Sequence, residues 1–359
     1  MFNNIYKNKK VFVTGHNSFK GSWLCLWLES MGAQITGYSL DPPTQPNHYD
    51  LIDCKINSIH GDLRNYEELL SAMKQSQPDI VFHLAAQSSV LYSYKHPIET
   101  LESNLMGTAN VLESCRYVAS IKAVVIVTTD KCYENKEWIW GYREDDPMGG
   151  HDPYSTSKAL AELITTSYRR SFFSLDKYKS SHHVLIASVR SGNIVGGGDW
   201  KEDRLIPDAV KAASNGQKIK IRNPKSTRPW QHVLEPVYGY FLLGQQLLEE
   251  KQEFSGAWNF GPTDEGNRSV LYVVNELQKY WNKINCEITI DPNSLYEANL
   301  LKLDCSKAST HLNWKPVWSF AQMLEKTASW YREYYENNRV ISKEQLEDYI
   351  RCAEKSMNN

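Results

Sequence analysis

The chain has 359 residues, 41% hydrophobic and 23% charged, ordinary globular proportions that suffice for one large domain or two joined ones. With 40 basic against 42 acidic side chains, the net charge of −2 gives no long-range pull toward nucleic acid or an anionic membrane, so any phosphate site has to be local. The seven cysteines lack CxxC pairing, no run approaches the roughly 18 apolar residues of a membrane span, and no secretory signal is read. The expectation is a cytoplasmic protein without metal, nucleic acid or membrane partner.

Taken in chain order, Val11–Thr14 reads as a strand and Ser22–Met31 as a helix. Gln34–Ser39 is a second strand, Tyr66–Met73 a helix, Ile80–Ala85 a strand and Leu101–Val118 a helix. Ala123–Thr128 is a further strand, Tyr154–Phe173 a long helix and Val184–Val189 another strand. This βαβ alternation predicts an α/β fold with a doubly wound parallel sheet of the Rossmann type. Past Asn193 the rhythm breaks into shorter elements punctuated by Pro207, Pro224, Pro229, Pro236 and Pro262. That predicts a dinucleotide domain over residues 1–190 and a smaller mixed α/β lobe over 191–359, with segments of the lobe returning to the first domain.

The stretch VFVTGHNSFKGSWL is a strand, a turn and a helix, with Gly15 and Gly21 framing the turn. The first glycine permits a tight bend and the last lets the helix pack against the sheet, so that the helix N-terminus offers free N–H groups to a pyrophosphate. Lys20 adds charge there. Asp41 follows the second strand, where an acid accepts hydrogen bonds from an adenosine ribose and disfavours a 2′-phosphate, so the expected cofactor is NAD. Asp62, in HGDLRN, is expected at the adenine. Two glycines in a βα turn are common, and Asp41 before two prolines also suits a plain turn; strand context and spacing together favour the dinucleotide.

The stretch VTTDKCYENKEWIWGYREDDPMGGHDPYSTSKALAEL places Thr129, Asp130 and Lys131 after an apolar run, and Tyr154 and Lys158 one helical turn apart on one face. A free tyrosine titrates at about 10, and an ammonium close by favours the phenolate. Tyr154 then takes a proton from a sugar hydroxyl, Thr129 hydrogen-bonds the same oxygen, and Lys158 also holds the nicotinamide ribose. Read blandly, Tyr154 and Lys158 are surface residues of an amphipathic helix, and Asp130-Lys131 is a solvated pair at a strand end.

These stretches, together with VFHLAAQ, SVRSGNIVGGGDW, DRLIPD, RNPKSTRPWQHVLEP, WNFGP and LKLDCSKA, resemble the extended short-chain dehydrogenase/reductase family and, inside it, the sugar-nucleotide 4,6-dehydratases. The likeness covers roughly residues 10–310. Most such dehydratases carry Asp-Glu where this chain has Asp130-Lys131; the lysine is typical of the branch acting on CDP-glucose. The resemblance implies C4 oxidation, loss of water across C5 and C6, and return of hydride to C6. Asp130 is then the acid at the C6 oxygen and Lys131 the base at C5. That role needs a partly neutral lysine; equally open is a charged Lys131 that stabilises the enolate. The resemblance also places Gly15, Asn17, Ser18, Phe19, Lys20, Gly21, Leu63, Leu84, Ala85, Ala86, Gln87, Asn104 and Thr128 at the cofactor. On the sugar-nucleotide side it implies Asn193 and Arg228 at the pyrophosphate or sugar, Arg204, Leu205 and Arg222 toward the nucleotide base, and Glu297 near base or ribose. A homodimer or higher homo-oligomer, paired through Leu101–Val118 and Tyr154–Phe173, is a further family expectation.

Two departures stand out. The family's loop has a middle glycine where this chain has Ser18, and a threonine where it has Asn17. A serine at positive φ costs roughly 1–2 kcal/mol and its Cβ crowds a pyrophosphate, so Ser18→Gly is expected to tighten NAD binding. Alternatively, its hydroxyl donates a hydrogen bond and recovers affinity. Leu91 stands where the branch usually has arginine, which bears on the sugar or the reaction. The competing readings are a sugar-nucleotide 4-epimerase, which needs only Thr129, Tyr154 and Lys158, and a dinucleotide-responsive binding protein without turnover.

Overall fold

Seven parallel strands form the centre of the computed structural model, which describes residues 1–289 and 300–357. In chain order the strands are β1 (Lys10–Thr14), β2 (Gln34–Ser39), β3 (Asn57–His60), β4 (Ile80–His83), β5 (Ala123–Val127) and β6 (Leu185–Ser191), then the short β7 (Asn193–Val195), β8 (Ile219–Ile221) and β9 (Thr227–His232), then β10 (Ala257–Phe260), β11 (Asn267–Ser269) and β12 (Cys286–Ile288). The large sheet runs β10-β6-β5-β4-β1-β2-β3, so strand order reverses between β1 and β4. In open α/β sheets that reversal opens a crevice at the carboxyl ends of the strands.

The helices are α1 (Phe19–Ser30), α2 (His48–Leu51), α3 (Tyr66–Ser76), α4 (Val90–Lys95), α5 (Pro97–Leu101), α6 (Gly107–Arg116), α7 (Pro153–Ser171), α8 (Leu205–Ser214), α9 (Leu234–Leu248), α10 (Val270–Tyr280), α11 (Ser306–His311), α12 (Phe320–Asn337) and α13 (Ser342–Met357). Local chemistry starts several of them. Asn65 caps α3, Asp152 caps α7 with Pro153 at its first position, and Ser319 and Gln322 form a reciprocal capping box on α12.

Alternation along the strands divides the core. Val11, Val13, Ile80, Phe82 and Val125 pack with Trp23, Trp27 and Phe241 on one face; Phe12, Val81, Val124, Ile126 and Ile186 pack with Leu69, Met73, Val111 and Leu112 on the other. Two details differ from the sequence reading. The helix expected over Leu101–Val118 is α5 and α6 joined by a π-helical turn, Glu102–Met106. β3 reads Asn-Ser-Ile-His, too polar to declare itself as more than strand-like. β10 and α9, from beyond residue 190, join the first half: β10 extends the sheet beside β6, and α9 packs against β5 and β6. What remains builds a three-stranded sheet β11-β9-β7 and the pair β12-β8.

Candidate active site

The crevice begins at the turn after β1. Gly15 has φ +73°, and a Cβ on it would lie 2.7 Å from the Ala85 amide nitrogen; a Cβ on Gly21 would lie 2.0 Å from the Gly15 carbonyl oxygen. Ser18 does not take the positive φ expected of it. It is the N-cap of α1 at φ −74°, ψ 164°; its hydroxyl accepts from the Gly21 amide (3.2 Å) and donates to the Gly15 carbonyl (2.7 Å). The hydroxyl is thus committed to the turn, and the backbone penalty assigned to Ser18 is absent. Among the described residues the amides of Phe19 and Lys20, next in the first turn, have no protein acceptor. Free amides, a helix N-terminus and the half-buried Lys20 together fit a pyrophosphate.

His16, which the sequence reading passed over, holds this turn in place. Its ring nitrogens meet Ser39 Oγ (2.7 Å) and Ser58 Oγ (2.8 Å), on β2 and β3. The ring fits because Gly37 has no side chain: a Cβ there would lie 2.2 Å from His16 Cγ. Burial lowers the imidazole pKa to about 4, so the bridge is neutral. Asn17 donates to the Leu40 carbonyl (2.6 Å), tying the turn to the end of β2. The next residue, Asp41, is exposed on the crevice rim with its carboxylate 3.6 Å from His60 Nε2. Asp62 also lines the crevice, and Arg64 grips its carboxylate (2.6 and 2.9 Å), holding its pKa down. Leu63, Leu84, Ala85, Ala86 and Gln87 complete this wall. Gly21 and Asn104 lie behind it. Asn104, in the π turn, takes the Gln87 amide on Oδ1 (2.8 Å) and donates to the Gln87 carbonyl (2.9 Å) and Ser157 Oγ (2.8 Å), so it reaches the crevice only through Gln87.

Thr128 and Thr129 follow β5, and α7 brings Tyr154 and Lys158 to the same wall, both buried. Thr128 hydrogen-bonds Glu162, which also holds Arg190 (2.9 Å) and Ser188 (2.7 Å). Thr129 hydrogen-bonds the Tyr154 phenol and donates to Asp130 Oδ1 (2.9 Å). Lys131 lines the cleft with its ammonium 3.5 Å from Asp130 Oδ1. Asp130 is fully covered; its Oδ2 has no protein partner among the described residues and faces Gly192, where a Cβ would come within 3.1 Å. One expectation needs correcting. The Tyr154 phenol is pushed well above its usual range, first by burial and then by Asp130. The cation that opposes this is Arg204, aided by the Thr129 hydrogen bond, whereas the Lys158 ammonium donates to the Val127 carbonyl (3.4 Å). Burial lowers the Lys158 pKa to about 8.

The opposite wall comes from the second half of the chain. Asn193, Arg204, Leu205 and Arg228 line it; among the described residues Asn193 Oδ1 is buried without a partner, and Arg228 is buried. Arg222 is not brought to the cleft. Its guanidinium, just past the end of β8, lies 3.9 Å from Asp203, which does line the cleft. Glu297 lies outside the described residues. Lys201 and Ser88 line the cleft unannounced, since nothing in their local sequence marks them. The whole cleft encloses about 1150 Å³, enough for two nucleotide-sized ligands on the scale of ordinary pockets of ~300–1,000 Å³. Among the described residues no cluster of His, Cys, Asp and Glu could hold a metal, and no helix is long and apolar enough to cross a membrane.

A family profile described as GDP-mannose 4,6 dehydratase matches residues 12–327. The CDP-glucose 4,6-dehydratase of Salmonella typhimurium is 47% identical over 351 residues, 97% of this chain and 98% of that one. Among solved structures, an epimerase from Methanothermobacter thermautotrophicus superposes with TM-score 0.80 at 25% identity, covering 94% of this chain and 96% of its own. The dTDP-glucose 4,6-dehydratase of Bacillus anthracis, in complex with NAD, gives 0.74 at 21% identity over 90% and 96%. A crevice at the strand reversal, a capped glycine turn and Thr-Asp-Lys facing Tyr-x-x-x-Lys are thus features of a chain that belongs to the GDP-mannose 4,6-dehydratase family, within the extended short-chain dehydrogenase/reductases.

Proposed function

We propose that the chain is a hydro-lyase that converts CDP-glucose into CDP-4-keto-6-deoxyglucose and water, with NAD held in the crevice at the glycine turn. The observation that carries this reading is the Asp130–Lys131 ion pair (3.5 Å) beside Thr129, on the wall that also bears Tyr154. Moving hydride at C4 requires one base; losing water across C5 and C6 requires an acid and a base more.

Bound NAD supplies a hydride acceptor at C4 of the sugar that later returns the same hydride to C6. Tyr154, as the phenolate, takes the C4 hydroxyl proton; Thr129 and Arg204 oppose, without cancelling, the burial and the Asp130 charge that raise its pKa, and the positive charge of bound NAD would lower it further. The C4 ketone acidifies the proton at C5; Lys131 accepts it once its own proton has passed to Asp130, or else stays charged and steadies the enolate. Asp130, with one oxygen satisfied and the other open among the described residues, protonates the departing C6 hydroxyl. Lys20 and the open amides of α1 hold the cofactor's pyrophosphate, and Asp41 its adenosine ribose. Asn193, Arg204, Leu205 and Arg228 bind the sugar nucleotide. Exposed Met106 on the π turn, Leu163 on α7 and Phe172 at its C-terminal cap support a pairing of two copies through these helices.

Incubation with CDP-glucose and other glucose nucleotides tests the reaction. The product expected is a 4-keto-6-deoxy sugar, read by its ultraviolet absorbance in alkali. A hexose inverted at C4 would instead mean epimerisation, with Asp130 and Lys131 idle.

A further inference from the structure

Basic and acidic side chains line the cleft in nearly equal number, but they are not all paired with one another. Lys20, Lys158, Lys201 and Arg204 all line it. Asp130 is paired with Lys131. Asp199 is spent on its own loop: Oδ2 accepts from Arg204 Nη1 (2.8 Å), and Oδ1 from the Lys201 backbone amide (3.1 Å). The Lys201 ammonium instead crosses the cleft to a neutral group on the loop after β4, donating to Ser88 Oγ (2.8 Å). Arg204 Nη2 reaches the same oxygen (3.3 Å). Among the described residues no carboxylate lies within ion-pair reach of Lys201. Two cations from one loop therefore converge on a single hydroxyl oxygen, which offers lone pairs but no charge. Partly buried cations held this way favour an anion between them. Burial first, and then the neighbouring Arg204, lower the Lys201 pKa to about 8 against the opposing charge of Asp199.

We infer that Lys201 is a ligand of the sugar-linked phosphate of the substrate's diphosphate, and that Ser88 holds Lys201 and Arg204 at that position until the phosphate arrives. The inference rests on the reading of the cleft as a sugar-nucleotide site. Lys201 lies on the stretch from Asp199 to Arg204 that faces Ser88, so one phosphate oxygen can replace the hydroxyl and draw both cations. The cofactor's pyrophosphate is assigned to the glycine turn, where Lys20 and the α1 amides already serve it.

Calorimetry with CDP and CMP tests this, using the whole chain with its cofactor. In wild type, CDP binds more tightly than CMP. Lys201→Met loses one charge-assisted contact, so CDP binding weakens roughly ten- to a hundredfold while CMP binding changes little. Lys201→Arg keeps CDP within a few-fold of wild type. Ser88→Ala releases both cations and leaves CDP binding unchanged or a few-fold tighter. Cofactor affinity stays constant throughout. Equal CDP affinity in wild type and Lys201→Met overturns the inference, as does an equal loss in Ser88→Ala, which would mean that loop placement rather than charge is at work. A wild-type chain that binds no nucleoside diphosphate overturns the reading of the cleft itself.

Discussion

Replacing Lys131 separates the steps of the proposed reaction. Its ammonium is the one cation within ion-pair reach of Asp130 among the described residues, at 3.5 Å. Losing a general base costs roughly 10²–10⁴-fold in rate, or about 3–5 kcal/mol. The structure adds a second cost. Removing one partner of a fully buried pair is worth roughly 3–5 kcal/mol, but Lys131 is itself 29% exposed, so water enters the gap and the stability loss falls toward about 1–3 kcal/mol. Lys131→Ala should therefore stay folded, still oxidise C4, and fail to lose water. Lys131→Arg distinguishes the two roles left open for the residue: a base cannot be replaced by arginine, whereas a charge that steadies the enolate can. The assay is exchange of the C5 proton with deuterated solvent, followed by mass spectrometry. Exchange at the wild-type rate in Lys131→Ala would refute the assignment of the base, and full dehydration by Lys131→Arg would assign the residue to electrostatics.

Other outcomes follow from the crevice. Ser18→Gly exchanges one acceptable cap for another, costing a few tenths of a kcal/mol, and leaves NAD affinity within a few-fold; calorimetry showing tenfold tighter binding would mean that the serine does crowd the cofactor. Gly37→Ala puts a methyl group 2.2 Å from His16 Cγ, breaks the imidazole bridge to Ser39 and Ser58, and should weaken NAD binding at least tenfold with a loss of about 1–3 kcal/mol in urea unfolding. The pH dependence has a defined sign. Lys20, Lys158 and Lys201 titrate near 7, 8 and 8 in the folded chain against 10.5 when unfolded, so between pH 7 and 9 the unfolded state holds more protons and ligand-free stability from these groups rises with pH. Lys20→Met, neutral throughout, should show a smaller rise in its urea midpoint across that window.

Short-range patterns carried much of this into the sequence. Apolar β-branched runs such as Ala123–Val127 declare buried parallel strands, and glycines at 15 and 21 declare a tight turn because no other residue fits there. Tyr154 and Lys158 share a helix face by spacing alone. What stayed hidden depends on segments far apart in the chain. His16 matters only because β2 and β3 bring Ser39 and Ser58 to it, and Gly37 only because His16 occupies the space its side chain would fill. Ser18 looked strained by comparison with a glycine, whereas its place at the N-cap suits a serine. The cation acting on Tyr154 is Arg204, fifty residues on, which helical spacing cannot reveal. β3 and β10 were obscured for different reasons: one is polar at the sheet edge, and the other belongs by sequence to the second half and by pairing to the first.

The most direct test of the whole account is one reaction, CDP-glucose incubated with the purified chain and NAD in deuterated water. The expected result is loss of one water, a single solvent deuterium at C5, the original C4 hydrogen found on C6, and no net reduction of NAD. A product of unchanged composition, inverted at C4 and free of deuterium at C5, would contradict it.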